Sequence, residues 1–199
     1  MYARIVTITG AKDIDGGVGW LREQLPPVLK DQKGFRGLGV SVDRAGGILG
    51  VLTLWDTEAD RDASWDALAA RREEGLAIIG GQLSTETYQE LLREAGSTPP
   101  APGSALMLLP VSMDPAKVDE NFAFFRSEIL PRIQASHGFQ HVRVLMNRET
   151  GHGLVGTAWA DEDARRAADS DAQARRQQGV ARGVQFGEVR NREIVLTDF

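Results

Sequence analysis

The sequence contains no cysteine, only three histidines and no long apolar run. The absence of cysteine excludes disulfides, thiol nucleophiles and thiolate metal sites from this chain. It also fits a reducing compartment, so we expect a cytoplasmic protein. Apolar segments all fall short of the roughly 20 residues that span a bilayer, and we therefore expect no membrane association.

Excess positive charge is also missing, because the formal net charge is -5 and no lysine- or arginine-rich run occurs. We therefore expect no nucleic-acid partner. His137 and His141 are four residues apart, but Gly138 interrupts any helix between them, and no carboxylate cluster lies nearby. We expect no metal site. The sequence likewise lacks a nucleotide-binding glycine fingerprint and a serine nucleophile elbow.

Two copies of one module emerge when the sequence is compared with itself at an offset of 104 positions. Residues 20–77 and 124–181 share 18 identities in 58 aligned positions without a gap, whereas average composition gives about 4 by chance. Loops match as well as elements, which indicates a duplicated fold. Identities include Gly34-Phe35 with Gly138-Phe139, Trp55 with Trp159, and Arg71-Arg72 with Arg175-Arg176.

A segment rich in proline, glycine and serine, residues 94–104, separates the copies and is typical of a linker. We therefore predict a first repeat over residues 1–93, a linker over 94–104 and a second repeat over 105–199.

Each repeat has the pattern β-α-β-β-α-β, the ferredoxin-like split unit. Asp15 and Asp119 are the predicted caps of the first helices, and Pro27 and Pro131 are predicted to kink or shorten them. Pro110 predicts an edge or a bulge in its strand. The predicted helices and strands of the two repeats cover residues 3–9, 15–32, 38–42, 48–55, 58–77 and 84–92, and residues 105–111, 119–136, 142–146, 152–159, 162–181 and 188–197.

A sheet with both helices on one face leaves its other face bare, and two such sheets in one chain can bury those faces on each other. The predicted fold class is α+β, with two tandem ferredoxin-like βαββαβ units packed sheet to sheet as a pseudo-dimeric α/β barrel. Such a chain is a monomer with an internal pseudo-dimer, or a dimer of these.

The Gly-Phe after each first helix, the glycine-containing hairpin and the segments Leu54–Glu58 and Ala158–Glu162 resemble the dimeric α/β-barrel superfamily. Specifically, they resemble its antibiotic-biosynthesis-monooxygenase-like domain. The resemblance covers nearly the whole chain outside the linker. It implies small-molecule work in a pocket between sheet and helices, with cofactor-free oxidation of aromatic polyketides and oxygenative haem breakdown among the known activities.

The haem-degrading branch of that superfamily uses an asparagine on the first strand, a tryptophan in the second helix and a histidine further on. Trp65 matches the tryptophan, but Gly75 stands near the histidine position, Asp169 replaces Trp65 in the second repeat, and residues 3–9 lack asparagine. We expect no haem and no other cofactor. Trp55 and Trp159 match a strand-end tryptophan of the oxidative branch, without its asparagine partner.

One face of the third strand is kept in both repeats, as Val51, Thr53 and Trp55 and as Val155, Thr157 and Trp159. A ligand-lining wall and ordinary core packing both explain this identity. The residues that we predict to line a ligand pocket are Trp20, Trp55, Phe124, Arg143 and Trp159.

The second strand differs between the repeats, because Gly37 and Gly39 correspond to His141 and Arg143. We hypothesise that the pockets have diverged, with His141 as a candidate base since its ordinary pKa lies near neutrality. A structural role for His141 is the alternative. The late arginine pairs of the second helices suit anion binding, a solvated helix face or a contact between the two copies.

Three functions remain open from the sequence. The first is an uncharacterised protein that binds a small apolar or aromatic ligand. The second is a cofactor-independent oxygenase on an aromatic or enolisable substrate, and the third is a non-catalytic structural domain with a filled barrel. The sequence leaves open whether the chain is an enzyme.

Overall fold

The computed structural model describes residues 1–198, apart from the side chains of residues 171, 173 and 174. Within this range no helix is both long and apolar enough to cross a membrane. Its elements are β1 (Tyr2–Thr9), α1 (Ile14–Lys30), β2 (Phe35–Asp43), β3 (Ile48–Trp55), α2 (Glu58–Ala67), α3 (Ala69–Ile79), β4 (Gln82–Ala95), β5 (Ala105–Ser112), a 3-10 turn (Pro115–Lys117), α4 (Val118–Phe124), a π-helical turn (Phe125–Ile129), α5 (Leu130–Gln134), β6 (Phe139–Met146), β7 (His152–Trp159), α6 (Glu162–Ala181), β8 (Gln185–Phe186) and β9 (Arg190–Asp198).

The predicted βαββαβ order is confirmed in both repeats, and the α+β class with it. The second helix of the first repeat breaks at Leu68 into α2 and α3, whereas α6 of the second repeat runs unbroken. Strand β4 is longer than predicted and includes Glu94 and Ala95, so only residues 96–104 of the predicted linker lie outside regular structure.

Both predicted caps of the first helices are wrong. Asp13 caps α1 by accepting a hydrogen bond from the Gly16 N–H, and Asp114 accepts from the Ala116 N–H at the start of the second repeat's helical segment. Asp15 and Asp119 instead lie in the first turns of α1 and α4, where their charge suits the helix dipole. Several acidic residues near a helix start make the cap hard to choose from sequence.

The two repeats accommodate proline differently. Helix α1 continues through Pro26 and Pro27. In the second repeat a π-helical turn precedes Pro131, which takes one of the first two positions of α5. A proline removes one helical donor and crowds the preceding turn, and a wider π turn provides the room that its ring needs.

The chain divides into two compact units that differ from the sequence repeats. Within the described residues, the first unit contains residues 1–88 and 193–198, and the second contains residues 89–192. Consequently β4 is divided equally between the units, whereas β9 gives residues 190–192 to the second unit and residues 193–198 to the first. The predicted repeat boundaries at residues 93 and 105 describe the sequence duplication. They differ from the boundaries of the compact units and stay a prediction.

Each unit has an antiparallel sheet with the same strand order. In the first unit the order is β4–β1–β3–β2–β9, and in the second it is β9–β5–β7–β6–β4, with β8 also beside β5. Pro110 lies in β5 opposite Leu154 without a bulge, and β5 has neighbours on both sides. On the other side of β5 the neighbouring strand is interrupted next to Pro110, because residues 187–189 lie outside β8 and β9, which agrees with the predicted irregularity. The Pro110 carbonyl accepts from the Gly187 N–H at 2.9 Å.

The core of each unit lies between its sheet and its helices. In the first unit Val18, Leu21 and Leu29 of α1 and Ile79 of α3 pack on Val40, Leu49 and other residues of the sheet. The second unit has smaller apolar clusters between β5, β6, β7 and their helices. Burial of the apolar face of each helix against the sheet is the main driving force for this layer.

Two equivalent hairpin glycines offer a test of local strain. Gly47 and Gly151 have φ angles of 64° and 69°, the left-handed region. A Cβ on Gly151 would lie 1.9 Å from the Met113 carbonyl oxygen, whereas a Cβ on Gly47 meets nothing nearer than 3.6 Å.

Gly47→Ala is expected to lower the free energy of unfolding by about 1–2 kcal/mol, the cost of a left-handed alanine. Gly151→Ala is expected to lower it by clearly more, since the backbone around Met113 must also move. Urea unfolding of both variants measures the difference, and equal losses would contradict the steric argument.

Candidate functional site

Each unit contains one apolar cavity between its sheet and its helices. The cavity of the first unit has a volume of about 100 Å³ and that of the second unit about 140 Å³, and both are partly open to solvent. We call them the first-unit cavity and the second-unit cavity. Equivalent elements of the two repeats line them, so the duplication has produced two versions of one site.

The first strands, third strands and second helices provide the wall residues. In the first-unit cavity they include Val6, Ile8, Val51, Thr53, Trp55 and Gly75. In the second-unit cavity they include Leu109, Val111, Val155, Thr157, Trp159 and Gly179. The face of the third strand that is the same in both repeats thus lines a cavity and also belongs to the core, and its role as a ligand-lining wall stays a prediction.

A tryptophan–threonine pair is the same in both cavities. The Trp55 Nε1–H donates to Thr53 Oγ1 at 3.0 Å, and the Trp159 Nε1–H donates to Thr157 Oγ1 at 3.0 Å. Both tryptophans are 1 % exposed. A buried indole N–H needs an acceptor, and a residue two positions earlier lies on the same face of the strand.

The edge of a phenylalanine ring fixes each tryptophan from the neighbouring strand. Phe35 and Trp55 have ring centroids 5.5 Å apart at 66°, and Phe139 and Trp159 are 5.9 Å apart at 73°. These edge-to-face contacts are a favourable geometry for aromatic rings. The Gly-Phe motif after each first helix therefore has a packing role beside its role in the turn.

Trp20 and Phe124 occupy equivalent places on the first helices and line their cavities. A Cβ on Gly75 would lie 2.7 Å from the Trp20 ring, so this glycine permits the close approach of α3. Phe124 is covered by Arg182, whose guanidinium carbon lies 4.5 Å from the ring centroid. Both positions present aromatic surface to the cavity.

The two arginine pairs of the second helices border the cavities. Arg71 and Arg72 contribute to the first-unit cavity, and Arg175 and Arg176 contribute to the second-unit cavity. Arg71 is exposed and pairs with Glu74 on its own helix, as the solvated-face alternative predicts, and Arg72 and Arg176 are partly buried beside the apolar walls.

Arg143 and His141 do not line the second-unit cavity, because Val144 and Met146 take the cavity side of β6 and residues at odd positions point to the other face. There Arg143 Nε lies 2.7 Å from Glu90 Oε2, with both side chains 6 % exposed. Burial lowers the pKa of Arg143 to about 10 although Glu90 opposes this shift.

Burial lowers the pKa of His141 to about 3, and repulsion from Arg143 and then Arg93 adds to this effect. His141 is therefore a weak base at neutral pH. The structure brings Trp20 and Trp55 together at one cavity and Phe124 and Trp159 together at the other. The ligand contacts of these residues, of Arg143 and of His141 stay predictions.

Sequence reasoning missed the threonine acceptors and the Arg143–Glu90 pair. The recurrence of threonine two residues before tryptophan was a signal for the first. Nothing local signalled the second, because Glu90 and Arg143 meet only through the pairing of β4 with β6. Among the side chains that the structure describes, no group of three or more histidine, aspartate or glutamate residues is placed to hold a metal.

No protein-family model matches the chain. The uncharacterized protein Rv2557 of Mycobacterium tuberculosis strain H37Rv is 26% identical over 167 residues, covering 82% of this chain and 73% of the relative. The uncharacterized protein Rv2558 of the same strain is 24% identical over 140 residues, covering 70% and 59%.

Solved structures match over nearly the whole chain. An anthrone oxidase-like protein superposes with a TM-score of 0.69 at 15% identity, covering 99% of this chain and 92% of its own. A ferredoxin-fold protein of Listeria monocytogenes 4b F2365, described as related to antibiotic biosynthesis monooxygenases, gives 0.54 at 11% identity and covers 96% and 93%. The chain has the fold of the dimeric α/β-barrel superfamily. At these identities the superfamily likeness establishes fold alone.

The ion pair between Glu90 and Arg143 is buried, so its loss should change the free energy of unfolding measurably. Glu90→Gln is expected to lower the free energy of unfolding by about 3–5 kcal/mol, because Arg143 then keeps a buried charge without its carboxylate. Asp163→Asn is the control, since its pair with Arg166 is 3.8 Å long and exposed, and it should change stability by less than about 0.5 kcal/mol. Urea unfolding at pH 7 compares them, and similar losses would show that the buried pair has no special weight.

His141 predicts a pH dependence with a definite sign. Its folded pKa of about 3 lies below the ordinary 6.5, so the unfolded chain binds the additional proton as the pH falls. The contribution of His141 to the free energy of unfolding is full above pH 6.5. It is lost as the pH falls from 6.5 to 3, by up to about 1.4 kcal/mol per pH unit. Unfolding free energies of the wild type and His141→Gln between pH 7 and 4 should therefore converge or cross. Parallel curves would rule the effect out.

Proposed function

We propose that the chain binds small apolar or aromatic molecules in its two cavities, one in each unit. The observation that carries the proposal is the pair of equivalent apolar cavities, each with a buried tryptophan and a partnered threonine in the same place. Ligand pockets are typically concave and mainly apolar, with a few placed polar groups. Both cavities have this composition.

The cavity volumes indicate the size of ligand. An apolar protein cavity of about 150 Å³ takes up benzene, and the second-unit cavity is close to this value at about 140 Å³. The first-unit cavity is smaller, at about 100 Å³. Since both are partly open, a ring-sized group fits inside and a larger molecule extends outward.

The oxygenase alternative draws support from the fold neighbours, whose descriptions include an anthrone oxidase-like protein and relatives of antibiotic biosynthesis monooxygenases. Base-assisted oxygenation requires a proton acceptor beside the substrate. Among the described residues, the side chains that line the two cavities include no histidine, aspartate or glutamate. Binding without chemistry needs no such group and agrees better with these walls. Cavities of this size also disfavour the alternative of a filled interior.

Filling one cavity provides the test. Ala172 is buried and lines the second-unit cavity, so Ala172→Leu is expected to occupy space that a ligand needs. Isothermal titration with p-cresol, a neutral single-ring probe, should give two sites for the wild type and loss of one site, by at least about tenfold in affinity, for the variant.

Ala123→Leu is the matched control, because Ala123 is exposed on α4 and lines neither cavity. It should keep both sites. Native mass spectrometry of the freshly purified wild type adds an independent measurement, as a retained small molecule supports binding. No titratable site and no retained mass would contradict the proposal, as would unchanged binding in Ala172→Leu.

A further inference from the structure

The two cavities keep their tryptophan wall but differ in charge. Strand pairing gives the equivalence on the first strands, because Arg4 lies opposite Thr53 and Met107 lies opposite Thr157. A cationic wall residue of the first-unit cavity thus corresponds to an uncharged one in the second.

The second helices differ in the residue that faces the second arginine of each pair. In the first unit this residue is Trp65, and the Arg72 guanidinium stacks on its ring at 3.5 Å from the centroid. Arg72 Nη1 also donates to the Trp65 carbonyl at 2.7 Å. In the second unit Asp169 takes the place of Trp65 and forms an ion pair with Arg176.

Arg72 is positioned without being neutralised. Among the described side chains, no carboxylate lies within ion-pair distance of it. Its stacked geometry fixes the plane of the guanidinium, and only one of its five N–H groups is given to the Trp65 carbonyl. The remaining donors suit a carboxylate, which guanidinium binds through two parallel hydrogen bonds.

Arg4 adds to the positive field of the first-unit cavity. Its guanidinium carbon lies 4.6 Å from the Trp65 ring centroid, and its Nη2 forms an ion pair with Asp62 Oδ1 at 3.0 Å. Burial lowers the pKa of Arg4, Asp62 opposes this, and repulsion from Arg61 and then Arg72 acts in the same direction as burial. An added anion would relieve that repulsion.

We propose that the first-unit cavity selects an apolar or aromatic carboxylate, with its ring beside Trp55 and its carboxylate on Arg72, whereas the second-unit cavity takes an uncharged apolar molecule. This inference rests on the proposed function, because it names the ligand class of each cavity. The pairing of Arg176 with Asp169 removes free positive charge from the second site, and Met107 there takes the place of Arg4, which is paired with Asp62.

The four tryptophans of the sequence make the two sites separately visible. Trp20, Trp55 and Trp65 line the first-unit cavity, and Trp159 lines the second. In ¹⁵N-labelled protein each indole N–H gives its own resonance, assigned with single Trp→Phe variants. Benzoate and benzamide, which match in shape and differ in charge, are the two probes.

Benzoate is expected to shift the first-unit resonances with an affinity at least about tenfold above that of benzamide, as a charge-assisted pair implies. Arg72→Met should abolish that preference while keeping benzamide binding. Lys33→Met is the control. Lys33 is exposed and does not line the cavity, so its substitution removes the same charge at a place outside the cavity. It should keep the preference.

Asp169→Asn is the converse variant, because it releases Arg176 from its carboxylate. It should give the Trp159 resonance a benzoate response at least about tenfold stronger than in the wild type. Equal affinities of the wild-type first-unit cavity for the two probes, retention of the preference in Arg72→Met, or no gain in Asp169→Asn would overturn the charge assignment while ligand binding stands. No shift of any indole with either probe would overturn the proposed function itself.

Discussion

A buried indole N–H must find a hydrogen-bond acceptor, and in this molecule the acceptor is two residues away on the same strand. Thr53 and Thr157 serve Trp55 and Trp159 at 3.0 Å. Each hydrogen bond joins residues two positions apart, so it does not depend on contacts elsewhere in the unit. It holds the largest side chain of each core in one orientation, against which the edge of Phe35 or Phe139 packs. The tryptophan in the wall of each cavity is therefore oriented by contacts within its own sheet.

The long strands add a second constraint. The second half of β9 pairs with β2 and completes the sheet of the first unit, while the second half of β4 pairs with β6 in the second unit. Each sheet thus needs a strand segment encoded in the other repeat. Separation of the two repeats would therefore remove an edge strand from both sheets and expose unpaired backbone groups. Because both repeats belong to one chain, each sheet stays linked to the strand segment that the other repeat encodes.

The repeat predicted the fold well because it depends on patterns that the chain carries locally. Gly34 and Gly138 have φ angles of 73° and 74° at equivalent turns, and the strand and helix limits follow from alternation and helical spacing. The predicted helix caps were wrong. Asp13 and Asp15 both lie near the start of α1, and the sequence does not show at which of them the helix begins. The site was predicted in part. The four predicted aromatic residues line the cavities, whereas Arg143 meets Glu90 through strand pairing that no local pattern encodes.

The glycine-to-arginine difference on the second strand marked where the repeats diverged, although that face points away from the cavities. The divergence inside the cavities involves a different set of positions, Arg4 with Met107 and Trp65 with Asp169. One change neutralises a cation, because Asp169 pairs with Arg176 whereas Arg72 stacks on Trp65. The other change replaces an arginine that is itself paired with Asp62. Retention of the tryptophan–threonine pair together with this change in charge is the pattern expected when a duplicated cavity keeps its apolar wall and alters the charge at its border.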